Sequence, residues 1–323
     1  MTPSVLLTGG HGTMGPWVVR ALHERGATVA VLDLLEGPRS SLGEAAAVPD
    51  ASVVGDIRDS ALVERTLRES GISHVVHLAA LVGDVCERDP VAAFEVNTIA
   101  TARLIEAAEA AGISRFVANS TKGALGPLPD RYLHPTYDPV PIDHPPSPRQ
   151  VYEVSKLAVE RLVAAARTRG LSATTLRFTT TWGPGKSAAT HAGLSFHSDL
   201  VAAAMAGGEQ SVDIHPDQGF DLVYYADVGA AIAAACLAEG PLTSHVYHAG
   251  AGRVTTMGEF AAALEDAFPG CRIAMGERFP PGRNVLFDIE PARRDLCYEP
   301  VFDVAAALAD IVRRSTAAGV PSD

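Results

Sequence analysis

The pair with the clearest chemistry is Tyr152 and Lys156, in the run Tyr152-Glu153-Val154-Ser155-Lys156. Residues at i and i+4 share one face of a helix. A phenol titrates near ~10 and is a poor base at neutral pH until a neighbouring cation stabilises the phenolate. A lysine one turn away supplies that cation. The pair could then take a proton from a substrate hydroxyl as hydride leaves the carbon bearing it. Taken alone, the spacing is more often that of an ordinary surface helix pair.

A second constellation opens the chain. Thr8-Gly9-Gly10-His11-Gly12-Thr13-Met14-Gly15 follows a short β-branched run, and a helical pattern begins inside it. Glycines there let backbone approach a pyrophosphate, and a helix N-terminus offers N–H groups to the anion. Gly9, Gly12, Thr13, Met14 and Gly15 are the candidate contacts. Asp33 ends the next strand pattern, where a carboxylate accepts from ribose hydroxyls and repels a 2′-phosphate; no arginine follows closely, so NAD is favoured over NADP. Asp56 and Ile57 are placed for the adenine edge, and Leu78, Ala79 and Ala80 for a small-residue floor. The competing reading of the glycines is a tight structural turn.

These residues need a frame. Apolar runs at 5–7, 28–32, 52–54, 74–78, 115–118 and 174–177 alternate with helical patterns at 15–25, 59–70, 90–111 and 152–169. Such alternation means an α/β fold, a Rossmann-type doubly wound parallel sheet whose ligands lie at the strands' carboxyl ends. Residues 1–178 read as the NAD-binding part and 179–323 mainly as a smaller C-terminal substrate-binding cap, with 220–250 rejoining the sheet through strands at 223–225 and 246–248. The Pro-, His- and Asp-rich stretch 126–150 is too long for an ordinary connection and ends just before Tyr152.

Composition narrows the class. The 323 residues carry 26 Lys and Arg against 38 Asp and Glu, a net charge of −12. That balance argues against a nucleic-acid partner or an anionic membrane surface. The start resembles no signal peptide, the apolar runs are too short to span a bilayer, and the four scattered cysteines read as free thiols; a cytoplasmic protein is expected. The eleven histidines show no metal-ligand spacing, so no metal is expected. His134, His144, His191, His197 and His215 fall in expected loops near the site's mouth.

TGGHGTMG, Asp33, HLAA, NSTKGALG, YEVSK, LRFTTTWGPG and FDLVYYADV follow one another in the order seen in the extended short-chain dehydrogenase/reductase family. The resemblance covers essentially the whole chain and points to the NAD-dependent epimerase/dehydratase branch, whose members act on nucleotide-linked sugars. It implies Tyr152 as catalytic base and acid, Lys156 as its helper and a contact of the nicotinamide ribose, and Thr121 as the hydroxyl that binds the reacting oxygen, with Ser120 able to share that role. It also places Asn97 on a long helix, as cofactor contact or packing residue, and Thr179 beside the nicotinamide. Members commonly form homodimers through the helices equivalent to 90–111 and 152–169.

Departures from the pattern bear on substrate. Dehydratases of this family carry Asp-Glu directly after the catalytic Thr; here stand Lys122 and Gly123, which disfavours dehydration. Lys122 would face an anionic substrate group or solvent. Thr180 replaces a usual Asn, and Phe220 stands where an Arg before Asp221 commonly grips a diphosphate. Arg278 lies near a second phosphate-binding position, with Arg283 and Lys186 as further candidates. Gly83 and Asp84 would give a sharp turn over the substrate, where Asp84 or Cys86 could touch it. The leading expectation is a nucleotide-sugar epimerase working through a transient keto intermediate. An NAD-dependent dehydrogenase or reductase of a free sugar, sugar acid, hydroxy acid or specialised metabolite is the alternative. A non-catalytic NAD-sensing protein would be expected to have lost the trio Thr121, Tyr152 and Lys156.

Overall fold

The computed structural model describes residues 2–38, 47–69, 71–185, 196–280 and 284–317. In chain order the first part comprises β1 (Ser4–Thr8), α1 (Gly15–Glu24), β2 (Thr28–Asp33), β3 (Ala51–Val54), α2 (Ser60–Glu69), β4 (His74–His77), α3 (Asp84–Arg88), α4 (Pro90–Phe94), α5 (Ala100–Ala110), β5 (Arg115–Thr121), α6 (Val151–Thr168) and β6 (Ala173–Phe178). β7 (Thr180–Trp182), α7 (Phe196–Ala206), β8 (Gly208–Val212), β9 (Gly219–Phe220), β10 (Leu222–Tyr224) and α8 (Tyr225–Cys236) follow. β11 (Val246–Ala249), β12 (Thr255–Thr256), α9 (Met257–Ala267), β13 (Cys271–Met275), α10 (Glu290–Leu296) and α11 (Val304–Ala317) complete the described elements.

Seven of these strands form one sheet in the order β3-β2-β1-β4-β5-β6-β11, every pair parallel. Side chains alternate across it: Val5 and Leu7 enter one apolar core, with Trp17 and Leu22 of α1, while Leu6 enters the other, with Leu104 of α5 and Val159 of α6. Burial on both faces is why these strands are almost continuously apolar. Because all seven run the same way, Thr8, Asp33, Val54, His77, Thr121, Phe178 and Ala249 end along one edge. The reversal of strand order between β1 and β4 opens a crevice at that edge, and ligands of such sheets lie there.

The two expected late strands part company. Val246–Ala249 does pair with β6, but Leu222–Tyr224 pairs with β7 in a separate two-stranded ladder, and Tyr225 already opens α8. The expected single helix over 90–111 is broken by a π-helical turn, Glu95–Ile99. The turn expected around Gly83 is there, with φ +64°, and it leads at once into α3. His197 lies within α7, buried among Phe196, Phe220 and Phe260, rather than in a loop. Among the described residues no helix is long and apolar enough to cross a membrane, and no His, Cys, Asp and Glu cluster could hold a metal ion.

Candidate active site

The glycine turn between β1 and α1 is compact for steric reasons. A Cβ on Gly15 would lie 1.9 Å from the Gly10 carbonyl oxygen, and one on Gly9, at φ +71°, would lie 2.6 Å from Ala79 N. The first turn of α1 carries no acidic residue, so its positive dipole end is not offset locally. Asp33 braces the turn: one carboxylate oxygen accepts from His11 N at 2.8 Å and the other from Leu35 N at 3.0 Å. Ionised carboxylate oxygens retain further acceptor sites for ribose hydroxyls. Ile57 and Leu78 are buried, while Ala79 and Ala80 are partly exposed. Small residues, a bare helix N-terminus and a carboxylate at the end of β2 make a cradle that fits a dinucleotide. Asp56 is the weaker member, since its carboxylate is gripped by Arg58 at 2.6 Å.

Tyr152 and Lys156 lie on the first turns of α6, whose start is pinned by carboxylates. Glu153 Oε2 accepts from Arg149 N and Gln150 N at 3.0 and 3.1 Å, and Glu87 Oε1 of α3 accepts from Val151 N at 2.6 Å. Negative charge at a helix N-terminus is favourable, so the same contacts that cap α6 fix the height of Tyr152. Thr121 ends β5 and caps the 3₁₀ turn Lys122–Leu125 by accepting from Gly123 N at 3.1 Å. Its hydroxyl hydrogen is a separate donor, suited to a substrate oxygen.

Lys156 is turned toward Asn119, a residue that no sequence motif singles out. Lys156 Nζ donates to Asn119 Oδ1 at 2.9 Å and to Asn119 O at 3.2 Å. Burial lowers the Lys156 pKa to about 8. The Tyr152 phenol is pushed above its ordinary value, first by burial and then by the nearby Cys86 thiol. A phenol depressed by Lys156 was expected; here burial is the largest influence on it and acts in the opposite direction.

Two further expected site residues have partners within the protein. Ser120 Oγ donates to the buried Glu160 at 2.6 Å, which commits its single hydrogen to α6. Asn97, in the π turn, clamps two segments together. Its Oδ1 accepts from Leu81 N at 2.8 Å, and Nδ2 donates to Leu81 O at 2.9 Å and Ser155 Oγ at 3.0 Å. Ser155 Oγ in turn donates to Tyr152 O at 2.7 Å. The loop after β4 and the catalytic helix are thus joined through one amide.

The substrate side is mixed. Lys122 Nζ donates to Thr180 Oγ1 at 2.7 Å. Thr179 is buried beside the buried Asp221, whose carboxyl is pushed up to about 6 by burial. Phe220 points into the core, its ring 4.7 Å from that of His197. Asp84 is exposed at the start of α3, and Cys86 is buried within it. Arg278 is exposed and pairs with Asp213 at 3.6 Å. His134 and His215 each stack on Phe279, with ring centroids 4.4 Å apart, and His144 packs edge-on to Tyr132. Lys186, His191 and Arg283 lie outside the described residues.

The sequence profile of the NAD dependent epimerase/dehydratase family matches residues 5–250, the whole sheet and the trio. The chain belongs to this family. It is 34% identical over 179 residues to the UDP-glucose 4-epimerase of Corynebacterium glutamicum, covering 54% of this chain and 50% of that protein. The chain spans about half the length of the first curated relatives it matches. Its fold is similar to a Thermotoga maritima UDP-glucose 4-epimerase with UDP-glucose, at TM-score 0.81 and 25% identity over 97% of this chain and 99% of that one. It is also similar to MoeE5 in complex with UDP-glucuronic acid and NAD, at TM-score 0.76 and 27% identity, with 97% and 99% covered.

Proposed function

We propose that the chain is an NAD-dependent epimerase of a nucleotide-linked sugar. The observation carrying this reading is the intact trio Thr121, Tyr152 and Lys156 beside a glycine cradle in a member of this family. Gly9, Gly12, Thr13, Met14, Gly15 and Asp33 would hold NAD, and Lys156 would contact its nicotinamide ribose. NAD bound there would supply the hydride acceptor. Thr121 donates to the substrate oxygen and fixes it against Tyr152. Tyr152 takes the hydroxyl proton as the carbon is oxidised and returns it once the keto sugar has presented its other face. Lys156, by its charge, offsets the phenolate, which burial alone disfavours.

A dehydrogenase of a smaller substrate is favoured by one observation: position 220 carries a buried phenylalanine, so no cation there grips a diphosphate. The nicotinamide cofactor surviving purification, quantified per chain after denaturation, separates the two. Near-stoichiometric NAD supports the closed cycle of an epimerase. An empty protein that needs added NAD⁺ and accumulates NADH overturns that reading in favour of the dehydrogenase.

The same reading includes a homodimer in a reducing compartment, the cytoplasm. The four cysteines are all unpaired. Val91, Phe94, Ile99 and Val154 are exposed on α4, the π turn and α6, an apolar stripe of the kind that marks an interface.

A further inference from the structure

Two of the positions at which this chain departs from its family pattern are each other's partners. Lys122 and Thr180 are 58 residues apart, yet Nζ and Oγ1 meet at 2.7 Å. Thr180 is fixed from behind, its backbone N donating to Asp221 O at 3.2 Å. The third departure, Phe220, sits in an aromatic cluster facing the core. Positive charge is therefore absent at 220 and present at 122, on the residue that directly follows Thr121.

That relocation changes what kind of anion the site suits. Lys122 directly follows Thr121 at the carboxyl end of β5, and its ammonium is held at Thr180, the first residue of β7, which follows the carboxyl end of β6. We propose that Lys122, oriented by Thr180, forms a subsite for a carboxylate borne on or next to the substrate's reacting carbon, so that the preferred substrate is a sugar acid. This rests on the placement of the reacting oxygen at Thr121 and Tyr152. A neutral hydroxyl group would need no cation there, whereas an ammonium–carboxylate hydrogen bond is roughly twice as strong as a neutral one. Both residues are only partly exposed, which lessens screening by water. Asp221 does not take the carboxylate's place: it accepts from Ala251 N at 2.6 Å and Phe287 N at 3.2 Å inside the fold. The Lys122 charge is near enough to draw the Asp221 pKa down against burial.

The experiment measures kcat/KM with matched pairs, UDP-glucuronate against UDP-glucose and glucuronate against glucose, each with NAD⁺. Both epimer formation and NADH release are followed. The wild-type chain should prefer the acid of at least one pair by ~10-fold or more. Lys122→Gln should reduce that preference ~10-fold or more, and Lys122→Arg should restore part of it, with melting temperature and NAD retention reporting on folding. Equal use of acid and neutral sugar, an unchanged ratio in Lys122→Gln, or no turnover and no binding of either acid overturns the subsite. Acid preference with NADH release instead of an epimer leaves the subsite standing and removes the epimerase reading. Efficient epimerisation of UDP-glucose with no preference for the acid does the reverse.

Discussion

Lys156 Nζ donates to Asn119 Oδ1 at 2.9 Å inside a buried site, where loss of water lowers the lysine's pKa to about 8. The lysine must be protonated to offset a phenolate. With its pKa lowered to about 8, activity should fall as pH rises through that value. Asn119→Asp puts an anion beside the ammonium and should move the alkaline limb of kcat/KM upward by about one pH unit or more. Asn119→Leu removes an acceptor and should move it downward. Identical pH profiles for wild type and both variants would show that Asn119 does not tune Lys156.

Tyr152→Phe keeps the ring and removes the proton carrier. Turnover should drop by ~10²-fold or more, the range for lost general acid–base catalysis. Retained NAD should stay near the wild-type amount. An active variant refutes the proposed proton path.

The buried pair behind the site is structural. Glu160 accepts from Arg177 Nε and Nη2, both at 2.7 Å, and from Ser120 Oγ. Removing one partner strands a buried charge and costs about 3–5 kcal/mol. Glu160→Gln and Arg177→Met should each show that loss in denaturant unfolding, and the double variant less than the sum, since the residues share one contact. A loss below ~1 kcal/mol in both single variants would mean that water reaches the pair.

The exposed stripe on α4, the π turn and α6 tests the dimer. Ile99→Glu combined with Val154→Glu should give a monomer by light scattering at micromolar concentration. A dimer that survives both changes places the interface elsewhere.

The sheet, the glycine turn and the shared helix of Tyr152 and Lys156 were legible because their signals are local: apolar periodicity, glycines after a strand, two residues one helical turn apart. What stayed hidden depends on contacts distant in sequence. Nothing about Asn119 marks it as the partner of Lys156, 37 residues on. Ser120 and Thr121 are neighbours of similar chemistry, and only the fold shows that one hydroxyl goes to Glu160 while the other caps a turn. The π turn at Glu95–Ile99 leaves no trace in apolar spacing, yet it carries the Asn97 clamp. Leu222–Tyr224 has the composition of a sheet strand, and its pairing with β7 was a matter of tertiary competition.

The carboxylate of Asp221 reaches Ala251 N and Phe287 N, and that of Asp227 reaches Val301 N and Phe302 N at 3.0 and 3.1 Å. All four donors lie beyond residue 250, where the family match ends. The molecule is therefore poorly suited to modular exchange. A chimera that grafts another member's C-terminal segment after Gly250 must reproduce these seams in register, or it strands two buried carboxylates in an apolar interior.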